Sequence, residues 1–340
     1  ACALEPAMRA DARPYHHTAT GFRNPPGSPA REAGFGDMVS FIWRRFNSDK
    51  NPPAVPPGHV VEEAQALARL AELEGHDTLT WLGHAAFLIR TPRQTILTDP
   101  YLSDYASQLS IAGPRRFVAP VIGISKLPPI DILILSHNHY DHLDIRTLDA
   151  LPGKERMVVI APLKLGAYFL ERGWRDVREL DWHDTTDIGE VTVTALPAIH
   201  FSRRTPFDTN KSLWMSVAIS SPTQRLFFSG DTALGPVFRD IGARYGPFSA
   251  ALIGIGAYLP RVIMKATHST PEEAVRLGLE VGAHRLVAMH WGTVVLTDEP
   301  PFEPPGRFAA AARAAGFDDE RAWLMKIGES RVLPREWPRN

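Results

Sequence analysis

From residue 77 onward, short apolar runs recur along the chain, each bounded by Gly, Pro, Asp or Asn. They read "DTLTWLG", "AFLIRT", "TILTDP", "IDILILS", "RMVVIAP", "EVTVTALP", "LWMSVAIS", "RLFFSGD", "AALIGIG" and "RLVAMH". Runs of this length, rich in β-branched and aromatic residues, predict strands. "IDILIL" is too apolar for an exposed strand and predicts a buried one. A different spacing governs "EEAQALARLAELE", from Glu62 to Glu74, where Ala64, Leu67, Ala68 and Ala71 recur as on one face of a helix. Further helices are expected near 144–151, 163–172, 235–245, 271–281 and 307–315. The start of the helix at 271 is explicit: "STPEEAV" offers Thr270 as N-cap, Pro271 in the first turn and Glu273 three residues after the cap. His268 then belongs to the loop feeding that helix.

Strands interleaved with helices predict an α/β protein, with sheets covered by helices in one layered domain. The first 60 residues lack this periodicity. There "HHTATGFRNPPGSP" and "NSDKNPPAVPPG" bracket the apolar patch "MVSFIWRRF", which predicts a proline-rich arm over residues 1–60 with one or two helical turns. The folded domain is expected to occupy residues 61–340.

Composition narrows the function. The hydrophobic fraction of 44% in 340 residues supports a sizeable core. Lys and Arg number 37 against 38 Asp and Glu, so no overall field draws the chain to nucleic acid or anionic lipid. A local exception is "IWRRF", where Arg44 and Arg45 sit beside aromatics. That pattern suits lipid headgroups, and equally a solvated face with buried aromatics. No apolar run approaches the ~18 residues of a membrane-spanning helix. The single cysteine, Cys2, excludes an internal disulfide and a thiolate metal cluster, leaving histidines and carboxylates as metal ligands. The chain opens Ala1-Cys2-Ala3, without an initiator methionine, which reads as a processed start. A small residue before Cys is how a bacterial lipoprotein looks where its signal peptide ends. One expectation is therefore an envelope protein anchored through Cys2; the other is an incidental cysteine in a soluble or peripheral membrane protein.

"ILSHNHYDHLD", Ile134 to Asp144, places three histidines and two aspartates in eleven positions directly after a buried strand. His137 and His139 can point together from extended backbone, and Asp141 and His142 follow across a turn. Imidazole and carboxylate suit zinc or another divalent transition metal, and two pairs suit two ions better than one. Three other strand ends repeat the pattern, at His200 after "VTVTALPAI", Asp231 after "RLFFSG" and His290 after "RLVAM".

The order H-x-H-x-D-H, then His, then Asp in "SGDT", then His in "MHWGT" is similar to that of the metallo-β-lactamase superfamily over about residues 76–330. Within it the chain most resembles the phospholipases D that hydrolyse N-acyl phosphatidylethanolamine, and their bacterial relatives. The resemblance is carried by "WLGHAAFLI", "ILTDPYLSDYAS", "SHNHYDHLD", "FSRRTPFDTNKSLW", "IGAYLPRVIMKATHSTPEEAV", "HWGT" and "IGESR", and in the arm by "HHTATGFRNP". It implies an αβ/βα sandwich of two mixed sheets flanked by helices, with two metal ions, zinc by preference, at one edge. On that pattern His137, His139 and His200 hold one ion, Asp141, His142 and His290 the other, and Asp231 bridges.

Two ions about 3.5–4 Å apart acidify a water and clamp the oxygens of an in-line displacement, so no serine or cysteine nucleophile is required. Asp141, Asp231 and His268 are the catalytic candidates, with His268 either near the leaving group or structural. His84 is expected to support the ligands. Asn210 and Trp214 resemble positions near the site, with packing the plainer role for the tryptophan. Tyr140 and Tyr258 touch substrate or cap loops. No function is assigned to His16, His17, His59, His76, His183 or His284. The resemblance implies a phospholipid or small phosphoester substrate and peripheral membrane contact, and leaves the oligomeric state open. The same ligands would also serve a lactone hydrolase or a metal-binding envelope protein without turnover.

Overall fold

A computed structural model describes residues 14–47 and 51–335. Cys2, and with it the expected lipid anchor, lies outside the described residues. Two seven-stranded sheets form the centre. The first is built from β1 (Thr78–Gly83), β2 (Ala86–Arg90), β3 (Thr95–Thr98), β4 (Ile132–Ile134), β5 (Val158–Pro162) and β6 (Asp176–Leu180). The second follows with β7 (Thr185–Ile188), β8 (Val191–Leu196), β9 (Ser216–Ser220), β10 (Arg225–Phe228), β11 (Ala250–Gly254), β12 (Leu286–Met289) and β13 (Ala322–Trp323). The last strand, β14 (Ser330–Val332), returns to pair antiparallel with β1. Both sheets are mixed: β1–β2–β3 and β7–β8–β9–β10 are antiparallel, while β3–β4–β5–β6 and β10–β11–β12–β13 are parallel.

The continuous apolar character of the central strands follows from burial on both faces. Ile132 and Ile134 point into the cluster between the sheets, where they join Trp81, Phe87 and Ile96 from the first sheet and Val193, Val217 and Phe227 from the second. Their neighbours Leu133 and Leu135 enter a second cluster with Leu88, Leu97 and Val159 on the outer face. That outer cluster is covered by α2 (Glu63–Glu72), α3 (Ile145–Ala150) and α4 (Gly166–Leu170), through Leu70, Leu148 and Phe169. Each such side chain, fully buried, contributes about 1.5–3 kcal/mol. The second sheet is covered by α5 (Val237–Tyr245), α7 (Pro271–Glu280) and α8 (Pro304–Ala314), with the short α6 (Arg261–Met264) between. The α/β class and the two helix-flanked sheets thus agree with the sequence reading.

Departures are local. Four strands escaped the hydrophobic pattern, β6, β7, β13 and β14, and these are the four edges of the two sheets. An edge strand is half solvated, so β6 and β7 carry polar side chains and give no apolar run. The short α6 was likewise not expected. The patch "MVSFIWRRF" forms more than one or two turns: α1 runs Phe35–Asn47, 13 residues, because no proline interrupts it. The capping box before α7 is present as expected, with the Glu273 N–H donating to Thr270 Oγ1 at 3.2 Å and the Thr270 N–H to Glu273 Oε2 at 2.9 Å.

Candidate metal centre

Five strand ends deliver imidazoles and carboxylates to one place between the sheets. The loop after β4 supplies His137, His139, Asp141 and His142; His200 follows β8, Asp231 follows β10, His290 follows β12, and Asp99 follows β3. His84 comes from the turn joining β1 and β2. Rigid strands set these origins, and backbone conformation sets the final aim. His84, Asp99 and His290 all hold positive φ, at 54°, 33° and 62°. Non-glycine residues occupy this region sparingly, at a cost of order 1–3 kcal/mol each, and such strain concentrates at functional sites. Gly230, in "SGDT", has φ +52° and a Cβ there would stand 2.6 Å from Ser136 Cβ, so any larger residue would push the Asp231 turn off the metal loop.

The side chains form two groups. His137, His139, His200 and Asp231 have ligand-type atoms within 4.8 Å of one another, and so do His84, Asp141, His142 and His290. Asp231 faces both: its Oδ2 lies 3.1 Å from His142 Nε2 and 3.8 Å from His137 Nε2 and His200 Nε2, while its Oδ1 is 3.2 Å from His290 Nε2. The seven residues expected from the sequence are thus brought together. His268 joins them, with Nδ1 4.0 Å from Asp231 Oδ2.

Nitrogen faces nitrogen throughout the site: His137 Nε2 to His139 Nδ1 at 2.9 Å, His139 Nδ1 to His200 Nε2 at 3.2 Å, and His142 Nε2 to His290 Nε2 at 3.3 Å. Asp231 Oδ1 is buried without a hydrogen-bond donor. Converging lone pairs and an orphaned buried carboxylate oxygen fit cations held among them. The electrostatics agree. Burial and the neighbouring imidazoles hold His137 and His139 well below the ordinary histidine value, and burial chiefly lowers His200 to about 4 and His84 and His268 to about 3. These rings are neutral, so their lone pairs are available. Burial opposes charge on Asp231 and Asp141 as well, but the surrounding histidines outweigh it and hold both well below the carboxylate range. In the same way the carboxylates overcome burial to raise His142 well above its usual value and His290 to about 9. The field at the centre therefore favours positive charge.

Outer hydrogen bonds orient the rings. Asp99 accepts from the Ser136 N–H at 2.7 Å and the Ser136 hydroxyl at 2.5 Å, and its Oδ2 lies 2.7 Å from His142 Nδ1. His200 Nδ1 donates to the Thr267 carbonyl at 2.9 Å, turning Nε2 inward, and the His200 N–H donates to Asn24 Oδ1 at 2.9 Å. His84 Nε2 is 2.8 Å from Asp141 Oδ2, and the His84 carbonyl accepts the His290 N–H at 2.9 Å. Asp99 and Asn24 were missed as individual residues, although "TILTDP" shows the same strand-end carboxylate as "RLFFSGD".

The remaining candidates are engaged in other contacts. Trp214 is buried and shares Nε1–H between Asn24 Oδ1 and the Ala198 carbonyl, a packing role. Asn210 ties its loop, accepting the Ser202 N–H at its side chain and the Phe22 N–H at its carbonyl. Tyr140 caps the ligand loop, donating to the Arg204 carbonyl at 2.8 Å under the Arg204 guanidinium. Tyr258 turns away to donate to Glu303 Oε1 at 2.9 Å.

Residues 94–291 match the model of the β-lactamase superfamily domain. An uncharacterised protein of Mycobacterium tuberculosis is 41% identical over 239 residues, 69% of this chain and 63% of that protein. The N-acyl-phosphatidylethanolamine-hydrolyzing phospholipase D 1 of Caenorhabditis elegans is 36% identical over 237 residues, 66% of this chain and 67% of that one. Among solved structures, a possible metal-dependent hydrolase from Veillonella parvula covers 76% of this chain and all of its own, at a TM-score of 0.60 and 15% identity. The chain belongs to the metallo-β-lactamase superfamily. The matched region spans a little under two thirds of the mycobacterial relative's length.

Replacing Asp99 by Asn keeps the shape and removes the charge that orients His142. Metal affinity is expected to fall about 10–100-fold, read by competition with a chromophoric chelator; an unchanged affinity would place Asp99 outside the control of the centre.

Proposed function

We propose that the chain is a binuclear, zinc-dependent hydrolase of phospholipase D type, acting on the phosphodiester of N-acyl phosphatidylethanolamine or a related phospholipid. The observation that carries the hydrolase reading is the pair of ligand groups sharing Asp231. In this reading His137, His139 and His200 would hold one ion and Asp141, His142 and His290 the other, with Asp231 facing both sets. Two divalent ions in such a site supply Lewis acidity and acidify water near neutral pH. The substrate class is supported by similarity to the Caenorhabditis elegans phospholipase.

The chain's own groups then orient the reactants. His268, half-buried beside Asp231 and edge-on to His200 at 5.0 Å, would hydrogen-bond the departing oxygen as a neutral imidazole. Arg203 is exposed, with its guanidinium over Phe201, whose ring packs on His139 at 4.5 Å. An anionic headgroup approaching His139 meets that charge.

A panel of N-acyl phosphatidylethanolamine, simple phosphodiesters and lactones, assayed on one zinc-loaded preparation, tests the reading. Phosphodiester turnover that disappears in His139→Ala is expected, with Arg203→Ala raising KM for phosphodiesters and leaving any lactone KM unchanged. Turnover of lactones alone would remove the phospholipase assignment; bound metal with no His139-dependent turnover would leave a binding protein.

Membrane contact is part of the same proposal. On α1, Phe35, Val39, Ile42 and Trp43 lie along one stripe and stay exposed, Phe35 at 86% and Ile42 at 60%. Among the described residues no helix is long and apolar enough to cross a membrane. Ile42→Ser with Phe35→Ser is expected to reduce co-sedimentation with phosphatidylethanolamine-containing vesicles at least several-fold. Equal co-sedimentation of the variant and the parent would exclude α1 as the contact.

A further inference from the structure

Residues of the arm and of the first sheet's edge meet far from the catalytic cluster in sequence. Asp181, just beyond β6, presents one carboxylate oxygen to each of two adjacent imidazoles: Oδ1 lies 2.5 Å from His16 Nε2 and Oδ2 lies 2.7 Å from His17 Nε2. We propose that His16, His17 and Asp181 form a third divalent-cation site, of zinc type, that clips the arm to the folded domain. This inference stands whether or not the catalytic proposal above is correct.

Four observations carry it. First, the donor set of two imidazoles and one carboxylate is a recurrent zinc set, with a fourth position left for water, and its atoms converge within 4.8 Å. Second, the ring geometry repeats that of the histidine trio in the catalytic cluster. His16 and His17 have centroids 4.6 Å apart and planes at 70°. His137–His139, His137–His200 and His139–His200 stand at 4.5, 4.7 and 4.9 Å, with planes at 81°, 78° and 75°. In the clip both Nε2 atoms reach the one Asp181 carboxylate, so the two rings converge as the trio does. Third, the side chains are held in place before any ion arrives. His16 is buried and stacks on Trp182 at 4.2 Å, and Asp181 Oδ1 accepts the Trp182 N–H at 2.8 Å. Such outer support is what fixes a ligand's direction. Fourth, the site has a route for the ion, since the His17 and Asp181 side chains are 25% and 19% exposed.

Without a cation, each imidazole N–H would donate to the carboxylate directly, giving a hydrogen-bonded clip with no metal. The two states differ in what can be counted. Its location gives the clip a consequence, because the arm continues from His17 through Phe22, whose N–H donates to the Asn210 carbonyl, to Asn24, which holds the backbone of His200. The position of a catalytic-cluster histidine is thereby tied to the clip.

Zinc content of the purified full chain, dialysed against buffered free Zn2+, is expected to be one equivalent per chain higher than in His17→Ala and in Asp181→Asn. Circular dichroism identifies any variant that has not folded. Crystals of the unaltered protein measured above and below the zinc absorption edge supply an independent reading, with an anomalous peak expected among the three side chains. Equal zinc content in all folded variants, or no peak there beside occupied catalytic positions, would establish the hydrogen-bonded clip and overturn the proposal. Metal at the clip with an empty catalytic cluster would instead refute the binuclear reading and leave this one standing.

Discussion

Asp231→Asn is expected to reduce kcat/KM by on the order of 10³-fold, about 4 kcal/mol of transition-state stabilisation. The size follows from the number of groups that depend on this carboxylate. Five histidines, His137, His142, His200, His268 and His290, have a ring nitrogen within 4.0 Å of one of its oxygens. The amide is nearly isosteric, so packing at Gly230 is retained while the shared negative charge is lost. One half of the asparagine side chain would also turn an N–H₂ donor toward imidazoles or cations that require an acceptor. Steady-state kinetics with metal analysis on the same sample gives the answer. A variant retaining full activity and both metal equivalents would show that Asp231 does not bridge the two groups.

Removing metal is expected to destabilise the whole domain. A ligand present at about 1,000 times its Kd contributes about 4 kcal/mol to folding stability, which corresponds to roughly 6 °C in Tm for a chain of this length. The buried cluster gives this linkage a structural source. Its nitrogens face one another and Asp231 Oδ1 has no donor, so the groups that cations would pair are left opposed in a buried site. Calorimetry before and after exhaustive chelation, with zinc added back, measures it. Coincident melting curves would mean that the cluster is content without cations.

The interior strands were legible because each carries a buried apolar or alternating run; "IDILIL" serves Ile132 and Ile134 to one core and Leu133 and Leu135 to the other. The sheet edges were not, since β6, β7, β13 and β14 owe their place to a neighbour's hydrogen bonds rather than to their own side chains. The metal-type residues were legible for a related reason. A histidine or aspartate directly after a buried run is conspicuous, and four such runs converge. Asp99 fits the same rule but is followed by proline, and "TDP" also reads as an ordinary turn. The pairing of His16 and His17 with Asp181 had no local signal, because the partners are 165 and 164 residues apart and only the path of the arm joins them. The length of α1 was underestimated because proline-rich segments flank it on both sides, although Phe35, Val39, Ile42 and Trp43 recur at helical spacing along its exposed stripe.

The seam between β1 and β14 makes the beginning of the domain wait for its end. On the side away from β2, Thr78, Leu79 and Thr80 pair with Val332, Arg331 and Ser330. Until those residues leave the ribosome, the outer rim of the first sheet is an open template that a second nascent chain could join. Closure of this rim waits for β14, and until then the free edge of β1 is open to mispairing.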